Sequence, residues 1–217
     1  MKLWSYWRSS CSYRVRIALN YKGLDYETLA VHLVKDGGEQ HGEQYKELNP
    51  QSLVPSLVAE ESRGSLTQSL AIISYLESQY PTPALLPKDP FDAARAWSLA
   101  YILAADVQPL QNLRVLRELK RRHHFSQDQI NAWSSHWIEL GLQSFEEQIL
   151  SGAPYSAGNN VSVADLCLIP QLYNARRFGV DLSRYPKILE IESNCLKLKA
   201  FKDAAPEQQN DAVVQAH

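Results

Sequence analysis

Four consecutive residues, Ser9, Ser10, Cys11 and Ser12, carry hydroxyl or thiol groups, and they stand where an apolar run gives way to a helical pattern. One serine at a helix N-cap is enough for the orphan backbone N–H groups, so Ser9 or Ser10 alone meets the need of the backbone. The surplus points to chemistry. Helix-start N–H groups and several hydroxyls converge where an anion or a thiolate can sit. A dithiol redox reaction needs a C-x-x-C pair, and none occurs. What is left is Cys11 by itself, or a thiol brought in from outside.

Two further stretches are suited to binding. NPQSLVPSL (Asn49–Leu57) sets Pro55 at the start of a strand, where a cis bond would turn the chain and leave the backbone of Val54 unpaired. An extended peptide could pair with that edge. TQSLAIISYL presents Gln68 and Ser69 at a second helix start, a place for a carboxylate. Each feature alone is common, since a proline before a strand is usually a turn and Gln-Ser is usually a cap. Together they outline a site for a short peptide bearing a carboxylate and a thiol.

The elements that must position these residues follow from spacing and punctuation. Lys2–Tyr6 and Asp25–His32 read as strands, and Leu53–Ala59 with Ser65–Thr67 as a hairpin around EESRG. The helix Cys11–Lys22 carries Val15, Ala18, Leu19 and Lys22 at helical spacing and stops at Gly23. Ser69–Tyr80 is a second helix, with Leu70, Ile73, Leu76 and Tyr80 on one face. This predicts a small thioredoxin-like α/β domain of mixed sheet over residues 1–82. PTPALLPKDP, with four prolines in ten residues, ends that pattern and makes 83–90 a linker.

From 91 to 217 the pattern is all-α. Phe91–His123 reads as one long helix kinked at Pro109. Ser126 opens another with a capping-box spelling, to about Leu150. Asn160–Phe178 holds Ser162 and Asp165 as an S-x-x-D capping pair, with Val161 and Leu166 as a hydrophobic staple, and Pro186–Phe201 is the last helix.

Composition excludes several function classes. With 22 basic and 24 acidic residues the net charge is −2, so bulk electrostatics recruit neither nucleic acid nor an anionic membrane. The cationic run RELKRRHH falls at a helix C-terminal end, where the macrodipole favours it. His123, His124 and His136 lack a metal-ligand spacing and read as surface residues. The three cysteines, Cys11, Cys167 and Cys195, are odd in number and widely spaced, which speaks for a reducing compartment. Cys167 lies on an apolar helical face, and the five tryptophans read as packing residues. No signal-peptide h-region and no run of 18 apolar residues occur. The expectation is a cytoplasmic protein without a membrane span.

The run SSCSYRVRIAL, with VPSL and QSLAIISYLE, resembles the zeta class of glutathione transferases. The likeness continues through PALLPKDP, QPLQNLRVL and VSVADLCLIPQLYNARRF to about Pro206. The serine-cysteine stretch is specific to that class, and the S-x-A-D cap is shared more widely among glutathione transferases. The resemblance implies a homodimer that uses glutathione as cofactor. It also implies a cis–trans isomerisation of maleylacetoacetate to fumarylacetoacetate in tyrosine and phenylalanine breakdown.

Residue by residue, the resemblance implies that Ser9 donates to the glutathione thiolate, with Ser10 and Cys11 beside it as catalytic neighbours and Ser12, Tyr13 and Arg14 completing the binding run. Val54 would pair main chain to main chain with the cysteinyl unit. Gln68 and Ser69 would hold the γ-glutamyl carboxylate, and Gln40 the glycyl end. Gln108, Asn112, Leu113 and Arg114 would add to the glutathione-binding residues, lining the site from the helical domain. Arg114 stands where relatives often carry a small residue, which makes that corner more cationic. Arg177 would meet the acidic second substrate, leaving Arg176 as a surface residue. No metal is implied. The reaction asks the protein to stabilise a thiolate, bind carboxylates and hold an enolate, and arginines suit the second task because they bind carboxylates bidentately.

Two other enzymes of this fold share all of these residues, a maleylpyruvate isomerase and a glutathione transferase acting on small α-haloacids. A non-catalytic interaction module of the same fold would be expected to have lost the thiol site.

Overall fold

The computed structural model describes residues 1–212. The chain forms two compact units. One is Met1–Ala84 together with the described residues from Lys197 on, and the other is Leu85–Leu196.

In the first unit, strand β1 (Lys2–Ser5) leads into helix α1 (Ser10–Tyr21) and strand β2 (Glu27–Ala30). Helix α2 (Glu43–Leu48), strands β3 (Ser56–Val58) and β4 (Leu66–Thr67), and helix α3 (Ser69–Gln79) follow. The sheet order is β2-β1-β3-β4. β1 pairs parallel with β2 (Leu3 opposite Thr28) and antiparallel with β3 (Leu3 opposite Leu57), and β3 and β4 form the expected antiparallel hairpin. This is the mixed thioredoxin-like sheet the spacing predicts. Helix α2, six residues behind a glycine-rich turn, is not marked in the sequence, since it is too short to show a period.

Helix α1 ends as its glycine foretells. Gly23 has φ +65°, its N–H reaches Asn20 O (3.1 Å), and Leu24 N–H reaches Leu19 O (3.0 Å), the two bonds of a Schellman close. Ser12 through Leu19 are all buried, because α1 packs against α3 on one side and against a late helix, α9 (Lys199–Ala204), on another. Lys22 is buried too, with Nζ donating to Glu77 (2.7 Å) and to the carbonyls of Tyr80 (2.6 Å) and Pro83 (2.9 Å). On α3 the buried residues are Ser69, Ile72, Ile73 and Leu76, so Tyr80 of the expected face is in fact exposed.

The domain limits need correction. The break falls at Ala84–Leu85, and the chain after Leu196 rejoins the first unit instead of completing the helical one. The reason is the packing of α9: Phe201 and Ala204 are fully buried, and Arg16 of α1 donates to Ala204 O at 3.0 Å. The expected helix Pro186–Phe201 is accordingly two helices, α8 (Pro186–Cys195) and α9, separated by the extended Leu198.

The second unit begins with α4 (Pro90–Tyr101), capped by Asp89 with Pro90 in its first turn. The expected long helix does not simply kink at Pro109. It widens over Ile102–Val107, tightens to a 3-10 turn at Gln108–Gln111, and restarts as α5 (Leu113–Arg122) behind the extended cap Asn112. Proline removes a backbone donor and blocks the preceding turn, so a break is the physical outcome. Helix α6 (Gln127–Gln148) has the predicted Ser126–Gln129 capping box. Its Gly141 lies against the widened turn, where a Cβ would collide with Val107. Helix α7 (Val163–Arg177) is buried along most of its length, with Ser162 N–H donating to Asp165 at 2.7 Å as predicted.

Cys167 is buried, and His123, His124 and His136 are exposed, as expected. Of the tryptophans only Trp7 is buried, and the other four are half-buried. Among the described residues no helix is long and apolar enough to cross a membrane.

Candidate active site

In the thioredoxin-like unit the serine run resolves into different roles. Ser9 is the N-cap of α1, and its Oγ accepts from Ser12 N–H at 3.2 Å. That uses an acceptor position of the hydroxyl. Among the described residues its proton has no acceptor, so Ser9 can donate to an anion placed at the helix start. Ser10 and Cys11 follow in the first turn, with Cys11 half-buried.

The side chains of the next three residues turn inward and are held by the protein itself. The Ser12 hydroxyl is buried and accepts from Tyr6 N–H at 3.5 Å, holding the end of β1. Tyr13 is buried and its hydroxyl donates to Phe201 O at 3.5 Å. Arg14 is buried and donates from Nη1 to Ser69 Oγ at 2.9 Å, so it supports the second helix start from behind. Consecutive helical residues point about 100° apart, and in the first turn only Cys11 is half-buried, while Ser10 and Ser12 are buried.

Val54 precedes a cis proline, as the sequence predicts. Its residue is buried, and neither its N–H nor its C=O hydrogen-bonds to another of the described residues. Buried backbone groups are almost always paired, so a main-chain partner from a peptide ligand fits there. The neighbouring Leu53 carbonyl is instead consumed by Tyr45 (2.6 Å) and Asn49 (2.7 Å).

Gln68 sits at φ +67° as the N-cap of α3 but gives that helix no side-chain cap. Its Nε2 donates to Gln51 at 2.8 Å. The first N–H groups of α3 are thus left for an outside acceptor, the setting in which a carboxylate is favoured. Ser69 opens the helix, with Arg14 adding a positive charge behind its hydroxyl. Gln40 is 4% exposed, with Nε2 near Leu33 O (3.4 Å) and its Oε1 without a partner. A Cβ on Gly38 would crowd the Gln40 amide, so that glycine makes room for it. Unpaired Val54 backbone, the uncapped α3 and the orphaned Gln40 oxygen fit a tripeptide with a carboxylate at one end. A larger open cavity of about 610 Å³, beneath α2 and lined by Trp4, Val31, Tyr45 and Leu48, includes none of these residues.

In the helical unit, Gln108 is half-buried in the 3-10 turn. Asn112 caps α5 through Oδ1, which accepts from Arg114 N–H at 3.1 Å, while Leu113 is half-buried and the Arg114 side chain exposed. Arg177, in the last turn of α7, donates from Nη1 to Asn174 Oδ1 at 3.0 Å and lies 4.8 Å from the Phe178 ring centroid.

Arg176 is an exposed surface residue, as expected, and it is also ion-paired. Its guanidinium pairs bidentately with Glu192 (2.6 and 2.5 Å), whose carboxylate is mostly buried, and this hydrogen bonding holds the Arg176 pKa up. The spacing of NARRF could not reveal this, because Glu192 lies 16 residues away on α8. Gln111 and Asn174, which neither QPLQN nor YNARR singles out, join the two motifs by a hydrogen bond of 3.1 Å.

Comparison with known proteins identifies the family. Residues 3–84 match the family model "Glutathione S-transferase, N-terminal domain". A probable maleylacetoacetate isomerase of Vibrio cholerae is 47% identical over 211 residues, covering 97% of each chain. The structure of a maleylpyruvate isomerase, described as a bacterial zeta-class glutathione S-transferase, superposes with a TM-score of 0.94 at 44% identity, over 98% of this chain and 100% of the other. A maleylacetoacetate isomerase of Methylobacterium extorquens AM1, solved with bound malonate and glutathione, gives 0.93 at 36% identity, over 99% and 100%.

Proposed function

The chain belongs to the zeta class of glutathione transferases, and on that premise we propose that it isomerises maleylacetoacetate to fumarylacetoacetate with glutathione as cofactor. The observation that carries the reading is the Ser9 hydroxyl, anchored through its oxygen and with its proton left to donate. Glutathione, when bound, supplies the thiolate that adds to the conjugated double bond and later leaves it, so that the bond can rotate in between. Ser9 stabilises that sulfur by donating to it, at a helix start whose positive potential acts in the same direction. Val54 pairs with the peptide main chain, Gln68 and Ser69 take the γ-glutamyl carboxylate, and the orphaned Oε1 of Gln40 suits the glycyl N–H. On the helical unit Gln108, Asn112, Leu113 and Arg114 add to the glutathione-binding residues, and Arg177 binds a substrate carboxylate.

The same reading makes the protein a cytoplasmic homodimer acting in tyrosine and phenylalanine breakdown. Three free cysteines fit a reducing compartment. A second reading, maleylpyruvate as substrate, is favoured by the relative of that name with a TM-score of 0.94. Both substrates are conjugated and doubly acidic, so the same residues serve either.

The test compares turnover of maleylacetoacetate, maleylpyruvate and a small α-haloacid, each with glutathione. Higher kcat/KM for maleylacetoacetate is expected, and a clear preference for another substrate replaces the first reading. Glutathione binding without turnover of any would mark an interaction module. Arg177→Ala should lower kcat/KM for the diacid about 10- to 150-fold, for loss of a charge-assisted pair of about 1.5–3 kcal/mol, with KM for glutathione little changed. Arg176→Ala should spare both constants and lower the melting temperature, because Glu192 loses its partner. Equal kinetic effects from the two arginines would reject the assignment.

A further inference from the structure

Arg176 and Arg177 are neighbours with different anchors. Arg176 is held by a buried carboxylate, whereas Arg177 donates to the side-chain oxygen of Asn174 at 3.0 Å. Asn174, 8% exposed, passes the contact on: its Nδ2 donates to Gln111 Oε1 at 3.1 Å. Gln111 is 5% exposed, and its own Nε2 has no partner among the described residues.

The direction of this chain is set from its charged end. A guanidinium has donors only, so Asn174 must turn its oxygen towards Arg177 and its NH2 towards Gln111. Gln111 must then answer with its oxygen, and its remaining NH2 is left buried and unpaired. Such a group is costly, and an apolar side chain would avoid it. A buried amide kept in this costly arrangement indicates that the other end of the chain is what matters.

We propose that Gln111 and Asn174 are positioning residues, a two-amide relay that aims the guanidinium of Arg177 through an anchor that brings no negative charge of its own. The proposal rests on the reading that Arg177 meets the substrate diacid. A carboxylate at position 174 would hold the arginine as firmly, but it would compete with the substrate for the same donors. The relay also ties the end of α7 to the turn carrying Gln108 and leading into Asn112, all within the helical unit.

The experiment uses three variants of the full chain, Gln111→Leu, Asn174→Asp and Arg177→Ala. Malonate binding is measured by calorimetry in the presence of S-methylglutathione, along with KM for maleylacetoacetate and for glutathione, and the melting temperature. Asn174→Asp and Gln111→Leu should each weaken malonate and raise KM for the diacid by about 3- to 30-fold, the range of a displaced positioning group. Both are close to isosteric, so KM for glutathione and the melting temperature should stay near the parent values. If Arg177→Ala weakens malonate while both relay variants bind it normally, the relay is wrong and the reading of Arg177 stands. If Arg177→Ala is also without effect, both fall. A lowered melting temperature in the relay variants with unchanged malonate affinity assigns the pair to stability alone and overturns the proposal.

Discussion

Ser9 and Cys11 stand two residues apart at one helix start, and their chemistry separates them. A free thiol of pKa about 8.5 is roughly 3% ionised at pH 7, and lowering it by about 2 units raises ionisation only about 25-fold. A donor aimed at a developing anion is worth about 100- to 1000-fold. Ser9→Ala should therefore reduce kcat by more than ionisation accounts for, and should also cost about 1 kcal/mol of helix cap. Cys11→Ala should be milder, because the attacking sulfur is brought in by glutathione. Ultraviolet titration of bound glutathione with single-turnover rates decides the matter. Loss of turnover in Cys11→Ala, with Ser9→Ala normal in both measures, would make Cys11 the nucleophile.

Among the elements, helix ends show how far local pattern reaches. The boxes at Ser126–Gln129 and Ser162–Asp165 span three residues each, so their spelling is visible in the chain. The start of α8 has no such spelling. Its cap is Glu146 of α6, whose carboxylate accepts from the N–H groups of Lys187 (3.0 Å) and Ile188 (2.9 Å) across some forty residues of chain. A buried carboxylate at a helix N-terminus gains from both hydrogen bonds and the macrodipole. Glu146→Ala should cost about 2 kcal/mol, which is about 4–8 °C in melting temperature for a chain of this size. Glu146→Gln, which keeps one acceptor, should cost less. A shift below one degree for Glu146→Ala would show that α8 is held by its apolar face alone.

Across the whole molecule, buried groups that prefer to stay protonated set an alkaline limit. Burial raises the Cys195 thiol far above its ordinary value of 9.0, and it raises the Tyr26 and Tyr45 phenols above 10.0. Above about pH 9 the unfolded chain releases these protons while the folded chain retains them. Stability is therefore full below that pH and falls as pH rises. Arg16, pushed down to about 10 by burial, acts in the opposite sense, as a single group. The melting temperature should drop from pH 9 to 10.5, and a step of tyrosinate absorbance, from Tyr26 and Tyr45, should accompany unfolding. A flat melting curve over that range would contradict the burial of these groups.

The sequence by itself determined the α/β-then-α order, the helix caps at Ser126 and Ser162, a serine cap at Ser9 or Ser10, the glycine stop at Gly23 and the cluster of chemically able residues at positions 9–11. All of these depend on neighbours within a few residues, where backbone preference and side-chain reach are local. Tertiary structure decided what depends on partners far along the chain. It made Ser12, Tyr13 and Arg14 interior residues, because α1 is covered by both α3 and α9. It gave Arg176 to Glu192 and Arg177 to Asn174, a distinction that two adjacent arginines in a motif cannot express. It also buried Arg16 against the carbonyls of Tyr6, Trp7 and Ala204, the last of these 188 residues away. A guanidinium accepts such a place only when packing supplies every acceptor, and no local pattern encodes where those acceptors come from.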